Sequence, residues 1–175
     1  ITGHTGFKGS WLLLILLKLK AKVWGFSLEA EPEPNLFRSI NKNKIKKFNH
    51  IVGDIRNKLS LDQVIAKSQP DIVFHLAAQP LVRKSYQDPI LTWETNLNGT
   101  LNLLDSLSKL RKKCSVVLIT TDKVYKNKNW KYGYRENDEL GGNDPYSASK
   151  AATELLIESW RKSFCHKKND FSYFL

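Results

Sequence analysis

Short apolar runs alternate along the chain with longer stretches in which apolar residues recur every three or four positions. The runs predict buried strands and the periodic stretches predict amphipathic helices. Repeated strand–helix alternation predicts an α/β domain built on a parallel sheet. Residues 1–2 read as the end of a first strand. A helix follows over 9–20, with Leu12, Ile15, Leu16 and Leu19 on one face, then a strand over 22–27. Residues 29–47 read as a loop holding Pro32 and Pro34 and then a short helix. Residues 51–55 read as a strand with its exit, 59–67 as a helix capped by Ser60, and 71–76 as a buried strand. A long helix is predicted over 90–110, with Trp93, Leu97, Leu101 and Leu104 on one stripe. A buried strand over 115–120, a polar loop over 122–145 and a second long helix over 146–164 complete the pattern, and 172–175 resembles the middle of a further strand.

A glycine-rich turn, Gly3-x-x-Gly6-x-x-Gly9, stands between the first strand and the first helix. Glycines there permit a tight turn, close backbone approach to a pyrophosphate, and packing of helix on strand. The helix start adds unpaired N–H groups and partial positive charge. The turn residues Gly3, Thr5, Gly6, Phe7, Lys8 and Gly9 are therefore candidates for holding a dinucleotide, with Lys8 either touching phosphate or facing water. The next strand ends in Ser27-Leu28-Glu29. Ser27 can bond a ribose hydroxyl and Glu29 would repel a 2′-phosphate, while the first basic residue beyond is Arg38; this favours NAD over NADP.

Other candidates stand at strand ends, where parallel sheets bind ligands. Asp54 can accept from an adenine amino group while Ile55 packs on the ring, or Asp54 can cap a turn. Leu76, Ala77 and Ala78 let the backbone pass close to the cofactor, with His75 before them as a structural histidine. Asn96 reads as a buried polar group without a chemical role. The strand over 115–120 delivers Thr120, Thr121, Asp122 and Lys123. Thr121 can bond a sugar hydroxyl and the tyrosine at 146, and Asp122 can protonate a leaving hydroxyl if burial raises its pKa. Tyr146 and Lys150 are four residues apart, hence on one helix face, where the ammonium favours the phenolate and makes the tyrosine a base.

Composition narrows the partners. The 28 basic against 17 acidic residues give a net charge of +11, which raises the question of a polyanion. The excess lies in separate runs, at 42–47, 109–113, 126–131 and 161–168, mostly beside periodic apolar stretches; these read as solvated faces, and no nucleic-acid partner is expected. The apolar run 11–17 is too short to span a membrane. The two cysteines, Cys114 and Cys165, have no metal-ligand spacing and form no disulfide framework, which fits a reducing, cytoplasmic setting. The sequence holds no methionine and its ends read as cut strands, so one domain over 1–175, truncated at both ends, is expected.

Taken together, Thr2-Gly-His-Thr-Gly-Phe-Lys-Gly-Ser-Trp11, Phe74-His-Leu-Ala-Ala-Gln-Pro-Leu-Val-Arg83, Thr120-Thr-Asp-Lys-Val-Tyr125 and Tyr146-Ser-Ala-Ser-Lys150 resemble the extended short-chain dehydrogenase/reductases. Within them the chain is similar to the nucleotide-sugar 4,6-dehydratases, and most to their CDP-glucose branch. The resemblance implies a Rossmann-like, doubly wound parallel sheet with helices on both faces, a carboxyl-terminal substrate domain outside the chain, and a homodimer or higher homo-oligomer formed through the two long helices. It also implies a cycle on CDP-D-glucose. Tyr146 takes the C4 hydroxyl proton as hydride passes to NAD, with Lys150 holding the ribose. Water is lost across C5 and C6 with Asp122 as acid, and hydride returns to C6. Relatives acting on dTDP-glucose and GDP-mannose have a glutamate base where this chain has Lys123. Lysine serves as that base only if its pKa is depressed; otherwise it stabilises the enolate and another group takes the proton. Rival readings are another nucleotide-sugar dehydratase, a 4-epimerase, or a non-catalytic dinucleotide-binding regulator. An epimerase needs no acid at C6, and a regulator needs neither Tyr146 nor Lys150.

Overall fold

Residues 1–40, 48–165 and 173–174 are described by the computed structural model of the chain. Strand β1 (Val23–Ser27) pairs in parallel with β2 (Phe48–Val52), β3 (Ile72–His75) with β4 (Cys114–Leu118), and β4 with β5 (Tyr173–Phe174). Thr2 joins the two groups, bridging in parallel to Phe26 on one side and His75 on the other. The order across the sheet is thus β2–β1–Thr2–β3–β4–β5. The chain builds outward to β2, then crosses back over Thr2 to β3. That reversal places a crevice at the carboxyl ends of Thr2, β1 and β3.

Helices cover both faces, as the doubly wound reading requires. Val23 and Phe26, three residues apart, point to opposite sides of β1. Val23 packs with Leu13 of helix α1 (Phe7–Lys18), Ile40, and Phe37 of helix α2 (Leu36–Ser39). Phe26 packs with Leu61 and Ile65 of α3 (Lys58–Ser68), Leu103 and Leu107 of α6 (Gly99–Ser108), and Val73 and Val116. Helices α4 (Val82–Gln87) and α5 (Pro89–Trp93) precede a π turn at Glu94–Asn98 that runs into α6. Helix α7 (Pro145–Phe164) packs along α5 and the π turn. Among the described residues no helix is long and apolar enough to cross a membrane.

Several boundaries differ from expectation. Helix α1 starts at Phe7, not residue 9, because Gly6 is its N-cap and the Ser10 N–H already bonds the Gly6 carbonyl. Its buried face is Gly9, Ser10 and Leu13, whereas Ile15 and Leu19 are exposed; a continuous apolar run carries no phase. Strand β2 spans Phe48–Val52 because Phe48 lies in register with Val23, and this puts Asp54 and Ile55 beyond the strand. Asn57, not Ser60, caps α3, its side chain accepting the Ser60 N–H. The predicted stripe on the long helix is turned outward only in part: Trp93 and Leu101 are exposed and Leu97 is half-buried, while Leu104 is buried, and the buried face also runs through Thr92, Asn96, Thr100, Leu103 and Leu107. Helix α4 was not foreseen. The short helix expected before residue 47 is α2, and residues 41–47 lie outside the described residues, as do 172 and 175 of the last predicted strand.

Candidate active site

The crevice begins at the glycine turn. Gly3 has φ 73°, and a Cβ there would lie 2.7 Å from the Ala77 nitrogen and 2.8 Å from the Leu76 carbonyl carbon. At Gly9 a Cβ would lie 2.2 Å from the Gly3 carbonyl oxygen. Both glycines are thus required by packing within the chain: Gly3 against the β3 exit, Gly9 against the turn itself. Gly6 differs, since a Cβ there would meet only the Gly3 oxygen, at 3.4 Å. Its outer face is open. Helix α1 has no side-chain cap and no acid in its first turn. Its leading N–H groups and positive end are therefore offered outward to an anion. Phe7 and Lys8 are exposed beside them.

The β1 exit lies beside this turn. Thr5 Oγ1 donates to the Leu28 carbonyl at 3.0 Å and lies 2.7 Å from Ser27 Oγ. Thr5 has one proton, so Ser27 donates to Thr5 and keeps only lone pairs for a ligand. Arg38, the first arginine beyond, donates to the Ala30 and Glu31 carbonyls at 2.7 and 2.9 Å. At the β2 exit, Asp54 accepts from the Arg56 side chain and backbone, and Arg56 holds its carboxyl below the usual range. Ile55 corrects an expectation. Its side chain is buried in the core against Gly99, so only its backbone can face a ring.

Helix α7 carries the tyrosine and lysine, and brings the lysine to the end of β4. It is started by Asp144, whose carboxylate accepts the Ser147 N–H at 3.0 Å, with Pro145 fixing the first turn. Lys150, one turn in from half-buried Tyr146, is only 6% exposed. Its Nζ donates to the Ile119 carbonyl at 3.0 Å, at the end of β4. Burial lowers its pKa from 10.5 to about 8, with Glu154 opposing the shift.

The next residues on that edge behave differently from expectation. Thr120 turns its hydroxyl to Glu154 on α7. Thr121 Oγ1 donates to Asp122 at 3.1 Å rather than to Tyr146. Asp122 and Lys123 open a single 3₁₀ turn, Asp122–Val124, anchored by buried Val124. The Asp122 side chain is 88% exposed and that of Lys123 57%, with 3.8 Å between their charged ends. Burial of Asp122, the condition set for its acid role, is not supplied by these residues. A cavity of about 640 Å³ lies against the turn, lined by Asp122, Lys123, Tyr125, Asn127, Tyr134, Gly141, Gly142, Asn143, Asp144 and Ser147. Tyr146 is not part of that lining.

A family model described as GDP-mannose 4,6 dehydratase matches residues 1–169. The chain belongs to this family. It is 48% identical to the CDP-glucose 4,6-dehydratase of Salmonella typhimurium over 97% of the chain and 46% of that protein. Among solved structures it is similar to the UDP-glucose 4-epimerase of Thermus thermophilus in complex with NAD (TM-score 0.75, 27% identity, 93% of this chain and 50% of that one). It is also similar to the dTDP-glucose 4,6-dehydratase of Bacillus anthracis in complex with NAD (TM-score 0.74, 26% identity, with the same coverage). The chain spans about half the length of the relatives it matches.

Within this family frame Asn96 is the buried polar group expected, and the structure joins to it Gln79, Thr100, Ser149 and Thr153, which the sequence reading passed over. The Gln79 N–H donates to Asn96 Oδ1 at 2.9 Å, and Asn96 Nδ2 returns bonds to the Gln79 carbonyl at 3.2 Å and Ser149 Oγ at 2.9 Å. Ser149 Oγ donates to the Tyr146 carbonyl at 2.7 Å. The Asn96 carbonyl, in the π turn, accepts from Thr100 Oγ1 at 2.7 Å and Thr153 Oγ1 at 3.1 Å. Because Thr100 spends its proton there, His75 Nε2 donates to Thr100, and Thr2 Oγ1 donates to His75 Nδ1 at 2.7 Å. Burial lowers the His75 pKa to about 3, as a neutral structural histidine requires. The chain of bonds runs from Thr2 under the crevice to the backbone of Tyr146. A signal existed: Thr92, Asn96 and Thr100 repeat at four-residue spacing, a polar stripe on the buried side of a helix.

Proposed function

We propose that the chain is the cofactor-binding half of a nucleotide-sugar 4,6-dehydratase that converts CDP-D-glucose to CDP-4-keto-6-deoxy-D-glucose with recycled NAD. The observation that carries the reading is the meeting of Tyr146–Lys150 on α7 with the β4 edge that bears Thr121, Asp122 and Lys123, through the Lys150–Ile119 bond. The 48% identity to the CDP-glucose enzyme supports the choice of nucleotide.

The turn residues Gly3, Thr5, Gly6, Phe7, Lys8 and Gly9 would hold the pyrophosphate, with the open face of Gly6 and the uncapped start of α1 as the fit. Ser27 would accept from the ribose; Asp54 and the Ile55 backbone would flank the adenine, and Leu76, Ala77, Ala78 and Thr120 the rest. Arg38 is engaged by two carbonyls and not presented to a 2′-phosphate, which favours NAD. Bound there, the nicotinamide would supply a two-electron acceptor for C4 and donor for C6, so the net change is loss of water.

Tyr146 removes the C4 hydroxyl proton. Lys150, drawn below its ordinary pKa by burial, holds the ribose and favours the phenolate. Thr121 bonds a sugar hydroxyl and orients Asp122. Asp122 donates the proton on which the C6 hydroxyl leaves, and its burial then comes from the bound hexose. Lys123 takes the C5 proton or steadies the enolate that forms. The working enzyme would act in the cytoplasm, as a homodimer or larger assembly using the outward apolar positions Ile90, Trp93, Leu101 and Leu155.

The test is an assay of the full-length protein on CDP-, dTDP-, GDP- and UDP-hexoses. A 4-keto product that has lost water is expected with CDP-glucose. A C4 epimer formed without loss of water would replace this reading with a 4-epimerase. No turnover of any nucleotide sugar, with NAD still bound, would leave a regulator.

A further inference from the structure

The turn that bears Asp122 and Lys123 packs on α7 and is anchored by buried Val124, but the side chains of Asp122 and Lys123 themselves are exposed. Asp122 is held by Thr121 and, at 3.8 Å, by Lys123. Further support for the turn lies on its carboxyl side. The Gly141 N–H donates to the Val124 carbonyl at 2.8 Å, and the Lys126 N–H to the Glu139 carbonyl at 2.8 Å. Tyr125 bridges antiparallel to Leu140. Residues 125–141 therefore form a closed loop whose two ends meet beside the turn.

Tyr134 lies at the centre of that loop. Its ring stacks on Tyr125 with centroids 5.5 Å apart and planes 6° from parallel. Its hydroxyl accepts the Lys128 N–H at 2.8 Å and donates to Asn127 Oδ1 at 3.0 Å, and Asn127 Oδ1 also accepts the Asn129 N–H at 2.9 Å. Trp130 leans on the same ring, and the Lys128 ammonium lies over Trp130. Tyr134 is half-buried among exposed neighbours. Tyr125, Asn127 and Tyr134 line the cavity that also reaches Asp122 and Lys123.

We infer that Tyr134 is a positioning residue for the elimination step: through Tyr125 and Asn127 it holds the 125–141 loop, and so sets the aim of Asp122 and Lys123. This rests on the dehydratase reading. The step at stake breaks the C5–H bond, whose pair forms the C5–C6 double bond as the C6–O bond breaks. The C5 proton goes to a base, and the hydroxyl leaves as water on the Asp122 proton. Oxidation at C4 uses Tyr146 on α7, whose start is held by its own Asp144–Ser147 capping box outside the 125–141 loop. Loosening the loop therefore slows elimination and spares oxidation. A displacement near an ångström at such a centre costs about a hundredfold in rate.

The full-length Tyr134→Phe variant keeps the ring stack and deletes both hydroxyl bonds; Asn127→Ala deletes the acceptor at an exposed site. With CDP-glucose, both are expected to form 4-keto-6-deoxy product about ten- to a hundredfold more slowly. C5 deuterium uptake from solvent should fall in parallel. KM and the single-turnover rate of C4 oxidation should stay within about twofold, and enzyme-bound cofactor should stand largely reduced at steady state. A raised KM with unchanged partition would make Tyr134 a direct substrate contact and overturn the inference. Equal slowing of oxidation and elimination would make it merely structural, as would loss of thermal stability in both variants that accounts for the rate. Wild-type protein that yields no 4-keto product would instead remove the dehydratase reading itself.

Discussion

Lys150 Nζ donates to the Ile119 carbonyl oxygen at 3.0 Å, tying the first turns of α7 to the end of β4. One end of this bond stands a single turn from Tyr146; the other is two residues before Thr121. Neither the strand nor the helix alone brings the two motifs together. The bond also leaves a largely buried ammonium with one backbone acceptor, an arrangement that costs stability.

That cost is measurable. The folded pKa is about 8 against an ordinary 10.5, so below pH 8 the lysine is charged in both states and its burial opposes folding. Between pH 8 and 10.5 the unfolded chain binds more protons, and stability from this group rises with pH. Lys150→Met is expected to stabilise the protein by about 1–3 kcal/mol at pH 7, the lost Ile119 bond taking back part of the gain. The advantage should shrink as pH approaches 10.5. Turnover should be lost at every pH. Denaturant melts at pH 7 and pH 10 check it; a variant less stable than the parent at pH 7 would refute the assignment.

The Asn96 network sets a second expectation. Asn96→Ala strands the buried Gln79 peptide and removes a bond from Ser149. Unpaired buried polar groups cost about 1–3 kcal/mol each, so a loss of about 2–4 kcal/mol is expected. Ser149→Ala should cost less, because the Tyr146 carbonyl it bonds belongs to helix α7. The double variant should fall short of the sum of the two, since the residues share a bond. Chemical denaturation of the three variants measures the cycle, and additive losses would mean the network does not act as a unit.

The sequence made the sheet legible because strand–helix alternation is a local signal, and it made the crevice legible because glycine spacing and the Tyr146–Lys150 interval are local too. What it hid were relations between distant segments. The phase of α1 was invisible because Trp11 to Leu17 is apolar throughout. Asn96 was legible as buried, but the outward turn of Trp93 and Leu101 was hidden because Thr92 and Thr100 share its buried face, Thr100 through its β3 partner, so their polarity misreported the inner face. Ile55 looked free for a ring because nothing local showed Gly99 making room for it in the core. The exposure of Asp122 could not be read at all, being set by a loop that closes seventeen residues later at Glu139.

The glycines of the turn should separate folding from binding. Gly9→Ala puts a Cβ 2.2 Å from the Gly3 oxygen, so the turn must open. It should lose about 2 kcal/mol or more, as overpacked sites do, along with NAD binding. Gly6→Ala meets nothing nearer than 3.4 Å and sits at φ −76°, which alanine accepts. Its stability should change by less than about 1 kcal/mol. NAD affinity should nevertheless fall, because the added methyl occupies the face offered to the pyrophosphate. Melting curves with and without NAD distinguish the two, and unaltered NAD affinity in Gly6→Ala would place the pyrophosphate elsewhere.

Acid should unfold the protein through its buried histidines. His75 is held neutral with a pKa of about 3, lowered by burial first and by the charge of Lys150 second. His4 is likewise lowered to about 3, by burial and then by His50, whose Nδ1 lies 2.7 Å from His4 Nε2. In the unfolded chain both titrate near 6.5. Their folded values are depressed, so their contribution is fully present above pH 6.5. It is lost as pH falls from 6.5 toward 3, where the unfolded chain binds the extra protons. Each group adds a slope of about 1.4 kcal/mol per pH unit in that window. His4 Nδ1 has no hydrogen-bond partner, the ring filling the space a side chain at Gly25 would need, so a proton added there would go unpaired. Replacing His75 by Gln, which offers one donor and one acceptor to Thr100 and Thr2, should lower stability at pH 7 yet flatten the acid limb by one proton. Denaturant melts from pH 7 to pH 4 give the slope, and an unchanged slope in His75→Gln would mean that His75 is already charged in the fold.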